Sequence, residues 1–392
     1  MELVTARLND DRLILALHGR IDSQNAPETE KRVLELCAEY PTEHIVFDFD
    51  DVEYISSAGL RMILRMRKQS PRLEIENVSG TVYDIFDVTG FTEMLPVRRA
   101  FRKLSVDGCR AIGRGAKGTV YRYDDETIVK VYNDPDSLPA IQRERELARR
   151  AFVLGIPTAI AYDSVRVGGR YGSVFELLNA KSYSQLLAED PDNTDVYVRD
   201  FAGLLRDIHS VKVKRDEMPD AKDIARKWLS AAGDYLTESD RAKLHDLIEA
   251  VPDTLNMLHC DYHTNNVMMQ NGETILIDMD TLSHGHPIFE LANVYACYMG
   301  FLEFDPENVE QFLGLPREEV RRVWNVFLPA YLGTDDPAVI ADLEKKIKLL
   351  SYSRCISHTI RHSRDPEYIK RVTETSAAAI HELLQEVDTL EF

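Results

Sequence analysis

The chain has 392 residues, with 66 Asp or Glu against 47 Lys or Arg, a formal net charge of −19. The length suggests two or three domains, each able to bury its own core, and 44% apolar with 29% charged residues is the make-up of a globular protein. The acidic balance disfavours nonspecific binding to nucleic acid or to anionic membranes, whose phosphates attract cationic surfaces, but it leaves room for a local basic patch that binds a nucleotide.

From the N-terminus, residues 13–17 read as a strand and 26–38 as an amphipathic helix starting near Pro27. Residues 44–49 form a strand whose Val, Ile and Phe suit a pleated, partly buried surface. Residues 57–68 form a second helix, opened by a Ser-Ser-Ala-Gly turn, followed by a strand at 73–78 and a short helix at 83–88. This alternation predicts a small α/β domain over residues 1–106, with a boundary near 105–110.

From Ala111 the chain turns β-rich, with strands at about 111–123, 126–132 and 171–178. One helix intervenes at about 138–154, with Ser137 as its N-cap and Gly155 and Pro157 as its end. After Ser182 nearly everything reads as helical, apart from a β-like patch at 256–278. Residues 107–392 therefore divide into a small β-rich lobe, about 107–180, and a helical lobe, about 181–392.

The β-rich lobe carries IGRGAKGTVYR, in which Gly113, Gly115 and Gly118 form G-x-G-x-x-G, followed by Val120. Glycines let a backbone approach phosphates with its N–H groups pointing at them. A strand, not a helix, follows the loop, which disfavours a dinucleotide fingerprint; a glycine-containing hairpin is the plainer alternative. Lys130 sits in the middle of the apolar strand Thr-Ile-Val-Lys-Val-Tyr and must place its ammonium somewhere polar, either in solvent or on a nucleotide's phosphates. On the following helix, Glu144 shares a face with the small Ala148 and Ala151, which would aim it at Lys130; Glu146 is the rival partner.

The most specific segment is Leu258-His259-Cys260-Asp261-Tyr262-His263-Thr264-Asn265-Asn266-Val267, followed by Thr274-Ile-Leu-Ile277-Asp278. Phosphoryl transfer wants one carboxylate beside the acceptor hydroxyl, a part Asp261 can play, and oxygen ligands for Mg²⁺, which Asn266 and Asp278 can supply if loop and strand lie side by side.

H-x-D-x-x-x-x-N followed by Ile-Asp resembles the aminoglycoside phosphotransferase and choline kinase family, which shares the protein-kinase-like fold. The resemblance covers roughly residues 107–300. It implies that Asp261 is the catalytic aspartate, that Asn266 and Asp278 hold Mg²⁺, and that Lys130, paired with Glu144, holds the phosphates of ATP. Phe175-Glu176-Leu177-Leu178 resembles the linker between lobes, which places Glu176 and Leu178 at the adenine. His209, in Leu-Arg-Asp-Ile-His, matches a helix histidine common in the family and reads as a buried structural residue. The family often has Pro-Gly before the asparagine, where this chain has Thr264-Asn265. Its G-D-P…D-L-A segment appears here as Gly285-His286-Pro287 and Glu290-Leu291-Ala292.

In the first domain, the run from Phe47 to Arg61 reads as strand, turn, helix, with Ser57 near the helix N-terminus. A phosphate there would meet free N–H groups and the positive end of the helix dipole; alternatively Ser56 or Ser57 only caps the helix. This run, with the strand end Leu-His18-Gly19-Arg20-Ile21-Asp22, resembles the STAS domain of anti-sigma factor antagonists over about residues 1–104. The resemblance implies that Ser57 is a candidate phosphorylation site that controls binding to a protein partner. The antagonists typically carry aspartate where this chain has Ser56, and many STAS domains keep the turn only as an interaction surface.

Five widely spaced cysteines without a C-x-x-C pair argue against a disulfide framework or zinc site and for a reducing compartment. The N-terminus lacks the basic-then-apolar pattern of a signal peptide, and the apolar stretch at 288–302 is too short to span a bilayer. The expectation is therefore a cytoplasmic α/β STAS domain followed by an α+β two-lobed protein-kinase-like domain. Its function would be ATP- and Mg²⁺-dependent phosphorylation of a hydroxyl on an unidentified small molecule or protein. The alternative is a regulatory binding protein of the anti-sigma factor antagonist type, whose kinase-like half binds nucleotide without turnover.

Overall fold

The computed structural model describes residues 3–9, 11–115 and 117–392. The chain divides into two units, Met1–Ser105 with Val165–Gly168 and Val106–Ser164 with Gly169–Phe392. Residues 165–168 group with the first unit because Val165, Arg166 and Val167 pair in parallel with Arg102, Lys103 and Leu104.

The first unit is built on a five-stranded sheet in the order Val4–Asn9, Arg12–Ile21, His44–Ile55, Arg72–Val78, Val97–Arg99. The first pair is antiparallel and the rest parallel. Alternation explains the faces: Leu13, Leu15 and Leu17 are buried, as are Phe47 and Phe49. Each contributes roughly 1.5–3 kcal/mol by leaving water. Helix Ala26–Glu39 adds Val33 and Leu36 to this core, and helix Ser57–Gln69 adds Met62, Ile63 and Met66. Their i, i+3 and i, i+4 spacings put them on one stripe of each helix. Gly59 lies where a Cβ would come 2.6 Å from Ile55 Cγ1 and 2.8 Å from Ile21 Cγ2, so the first turn of that helix fits only without a side chain. The strand Val4–Asn9 has no counterpart in the sequence reading: Val4, Ala6 and Leu8 alternate with Thr5, Arg7 and Asn9, but only Val4 is buried.

In the second unit a β-sheet lies on one side of the cleft and helices on the other. The strands run in the order Ala161–Val167, Arg170–Glu176, Thr127–Tyr132, Gly118–Arg122, Arg110–Arg114. The single strand expected at 111–123 is two strands, joined around Gly115. The strand Ala161–Val167 falls in a gap between predicted elements. Helix Leu138–Val153 buries Ile141, Glu144, Leu147, Ala148 and Ala151, one stripe at i, i+3, i+4 spacing with a carboxylate set in it. Ser137 stands at its N-cap but makes no capping hydrogen bond through its side chain.

The helical side packs Thr194–Ser210, Ala221–Ala232, Arg317–Leu332 and Pro337–His362 around one core that includes Phe201, Tyr262, Trp324, Phe327, Ile347 and Leu350. Phe201 and Tyr262 stack with centroids 4.3 Å apart, and the Tyr262 hydroxyl donates to the Phe201 carbonyl at 2.7 Å. A hairpin, Val267–Gln270 with Glu273–Leu276, turns through Asn271 and Gly272, both at positive φ. That is the two-residue turn whose twist suits paired strands. Among the described residues no helix is long and apolar enough to cross a membrane.

Candidate active site

The glycine loop links two antiparallel strands, with the Gly115 N–H donating to the Gly118 carbonyl at 2.9 Å. Gly118 is the glycine the packing demands: a Cβ there would sit 2.3 Å from the Val131 carbonyl oxygen. Gly113 and Gly115 have room for a Cβ, so packing alone does not account for them.

Lys130 lies one strand in, opposite Val120. Its Nζ donates to Glu144 Oε1 at 3.1 Å and to Asp278 Oδ1 at 3.2 Å. The sequence left Glu144 and Glu146 as rivals; Glu146 instead pairs with Arg149 at 3.2 Å and Arg150 at 2.8 Å on the exposed face. The second oxygen of Glu144 accepts from the Tyr132 hydroxyl at 2.8 Å. Burial alone would push the Lys130 ammonium down. The Glu144 and Asp278 carboxylates outweigh it and hold the group above its ordinary value, so it stays charged.

Asp261 follows Cys260, whose backbone sits at φ +63°, a conformation costly for a side-chain-bearing residue. The preceding backbone is held by one carboxylate. Glu290, fully buried on helix Ile288–Tyr295, accepts from the His259 N–H at 2.8 Å and the Cys260 N–H at 2.7 Å. It also accepts from His209 Nε2 at 2.8 Å, while His209 Nδ1 lies 2.6 Å from the Tyr331 hydroxyl. His209 is thus a buried residue that braces this loop. The methylene by which Glu290 exceeds an aspartate is used to reach two consecutive N–H groups. Burial pushes the Asp261 carboxyl up, but His263 beside it, His259 and Arg354 outweigh this and hold it well below the usual carboxylate range. His263 Nε2 lies 3.8 Å from Asp261 Oδ2. Asp261 is ionised at neutral pH.

Asn266 and Asp278 are brought together by the hairpin. Its register pairs Val267 with Leu276, and one step further the Ile277 N–H donates to the Asn266 carbonyl at 3.0 Å. Asp278 therefore leaves the strand beside Asn266, with its own backbone turned to φ +60°. Asn266 Nδ2 donates to the Asp261 carbonyl at 3.0 Å, which commits the nitrogen and leaves Oδ1 for another partner.

A cavity of about 1330 Å³ connects these groups. Gly113, Gly115, Gly118, Val120, Lys130 and Glu144 line it from the sheet side. Glu176 and Leu178 line it from the segment after strand Arg170–Glu176, and Asp261, Asn266 and Asp278 from the helical side. Ser57 belongs to the other unit, exposed at the first position of helix Ser57–Gln69; Ser56 is the cap, its Oγ accepting from the Ala58 N–H at 3.2 Å.

The sequence reading missed Lys117 and Asp280, which form an ion pair. Asp280 also belongs to a carboxylate group with Glu144 and Asp278, whose ligand oxygens all lie within 4.8 Å of one another. The signal was there in Asp278-Met-Asp280: two carboxylates one residue apart after an apolar strand. Arg354, which also lines the cavity, was missed too, and its place on a helix near the C-terminus gives no local sign of the cleft.

Comparison with known proteins agrees with this division. Residues 108–324 match the phosphotransferase enzyme family and residues 4–104 match the STAS domain. Over 94 residues the chain is 35% identical to BtrV of Bordetella bronchiseptica, provisionally named an anti-sigma factor antagonist, covering 22% of this chain and 78% of that protein. It is 26% identical over 98 residues to the anti-sigma-B factor antagonist of Bacillus subtilis, covering 24% of this chain and 88% of that one. Among solved structures, the ADP-bound aminoglycoside phosphotransferase APH(2'')-Ib is similar at 16% identity and a TM-score of 0.46, over 70% of this chain and 93% of that one. A STAS domain thus precedes a phosphotransferase segment, and with that segment spanning more than half of its length, the chain belongs to the phosphotransferase enzyme family.

Proposed function

We propose that the second unit transfers the γ-phosphoryl group of ATP to a hydroxyl group, with Mg²⁺ as the required ion. The observation that carries this is the meeting of Lys130, Asp261, Asn266 and Asp278 in one cavity, from segments far apart in the chain. In the transfer, the acceptor oxygen bonds to the γ-phosphorus and the bond from that phosphorus to the β–γ bridging oxygen breaks. ADP leaves with the electron pair, and the hydroxyl proton passes to the Asp261 carboxylate. The backbone beside Glu176 and Leu178 would take the adenine, and Val120 would cover it. The loop of Gly113, Gly115 and Gly118 and the Lys130 ammonium would hold the phosphates.

The donor set suits magnesium, since Asn266 and the carboxylates of Asp278 and Asp280 offer hard oxygen ligands, the two carboxylates within 4.8 Å of one another. Asn266 and Asp278 would hold it, and bound there it would neutralise charge on the phosphates. All five cysteines are free thiols, which fits a cytoplasmic setting where ATP is abundant.

Lys130→Met tests the phosphate role. Its expected effect is a rise of about 10- to 100-fold in the dissociation constant for Mg-ATP, the loss of one charge-assisted contact. Titration calorimetry reads this directly, and an unchanged constant would remove Lys130 from the site.

We further propose that the STAS unit docks a protein partner, as the names of its relatives suggest, and that Ser57 is its switch. Ser57 is exposed at the start of a helix of 13 residues, so a phosphate there would meet unpaired N–H groups. The expected result is an added phosphate on the Ser57 peptide after incubation with Mg-ATP and the cognate kinase activity of a cell extract. Mass spectrometry that finds this peptide unmodified while other sites are labelled would defeat the idea.

A further inference from the structure

The cavity is larger than the roughly 300–1,000 Å³ of a typical single-ligand pocket, so it has room for a second ligand beyond the nucleotide. Asn293, Phe301, Arg354, His358, His362 and Tyr368, all from the helical side, line another part of it. Building on the phosphotransferase reading, we propose that this part binds the acceptor through an anionic group, a carboxylate or a phosphate, held by the Arg354 guanidinium.

Arg354 is a strong cation whose guanidinium makes no direct contact with a carboxylate among the described residues. Its Nε donates to Asn293 Oδ1, a neutral amide, and its Cζ lies 5.7 Å from the centre of the Phe301 ring. Its Nη1 is buried and has no hydrogen-bond partner. Among the described residues no carboxylate lies within ion-pair distance of it. The other enclosed cations of this unit are all neutralised. Lys130 meets Glu144 and Asp278, and Lys222 donates to the Val251 carbonyl at 2.6 Å and to Asp253 at 2.7 Å. Arg12 and Arg150 also hold a buried nitrogen without a partner, but each carries a carboxylate on another nitrogen, Glu76 at 3.0 Å and Glu146 at 2.8 Å. A buried donor left without an acceptor is costly, and a guanidinium fork fits a carboxylate or phosphate on two nitrogens at once.

The Asp305 and Asp365 carboxylates that also line the cavity are engaged by backbone N–H groups. Asp305 caps helix Pro306–Leu313 by accepting from the Asn308 N–H at 3.2 Å, and Asp365 caps helix Pro366–Leu383 by accepting from the Glu367 N–H at 3.0 Å. The charge of Arg354 is felt at Asp261, where it helps keep the carboxylate ionised. Arg354 and Asp261 line the same cavity, so an anion held by Arg354 would leave its hydroxyl free to reach the general base. A polyamine acceptor would bring like charge against Arg354 and is disfavoured.

The test is a matched set of acceptors with labelled ATP and the full chain: glycerol, glycerate and glycerol 3-phosphate against ethanolamine and kanamycin. The expected result is a kcat/KM for one or both acids about 10-fold or more above the neutral and amine compounds, with the two acids separating carboxylate from phosphate. Arg354→Met is expected to raise the acceptor KM by about 10- to 100-fold while the KM for ATP stays within about twofold, and Arg354→Lys to recover part of the loss. Preference for amines or neutral compounds, transfer to none of the acids, or an acceptor KM unmoved by Arg354→Met would each overturn the proposal. Failure of ATP to bind in calorimetry would instead overturn the phosphotransferase reading beneath it.

Discussion

Asp261→Asn is expected to lower kcat for phosphoryl transfer by about 10²- to 10⁴-fold, the range for loss of a general base, while Mg-ATP binds within about twofold of wild type. The asparagine keeps the size of the side chain but cannot take the acceptor's proton. The backbone around it survives the change, because Glu290 and not Asp261 fixes the His259 and Cys260 N–H groups, and Asn266 holds the Asp261 carbonyl and not its carboxylate. Steady-state kinetics beside calorimetry read the two quantities separately. Transfer retained within about tenfold would mean that proton removal is not the work of this carboxylate.

Glu290→Ala is the change with the largest expected effect on stability. Removing the carboxylate strands the His259 and Cys260 N–H groups and the His209 ring, all enclosed. His209 is held from both sides, its Nε2 against the Glu290 carboxylate and its Nδ1 against the Tyr331 hydroxyl. Stranding buried donors costs about 1–3 kcal/mol apiece, so the three together cost at least about 3 kcal/mol, which lowers the melting temperature by roughly 6 °C or more. Glu290→Asp keeps the charge but withdraws it by one methylene, so it should lose reach to one of the paired N–H groups and melt between the two. Scanning calorimetry checks both, and a fall below about 2 °C for Glu290→Ala would show that water replaces the carboxylate at no great cost.

Much of the cleft was legible because its residues violate local pattern. Lys130 in an apolar strand, Glu144 within the apolar stripe of a helix, and Asp278 at the end of Ile-Leu-Ile all ask for a polar partner, and the partners turn out to be each other. The choice between Glu144 and Glu146 was not legible, since arginines one turn away compete for Glu146 and only three-dimensional packing ranks them. The strand Ala161–Val167 escaped because Asp163, Ser164 and Arg166 break its apolar run. Likewise the pairing of Lys117 with Asp280 and the position of Arg354 depend on how distant segments fold together, which no window of sequence carries. In the first unit the serines at 56 and 57 each fit a helix start, and hydrogen-bond geometry assigned the cap to Ser56.

The two lysine pairs have a mechanical meaning. Lys130 reaches from a sheet strand to Asp278, and Lys117 from the glycine loop to Asp280, so both tether the strands to the segment across the gap. These ionic cross-ties set the width of the gap before any ligand arrives. On the proposed reading, an entering triphosphate would take over the ammonium groups by exchanging one anion for another, and the carboxylates would be freed for a divalent ion. Each tether would then be surrendered only to its replacement, and the walls would not need to swing apart in between.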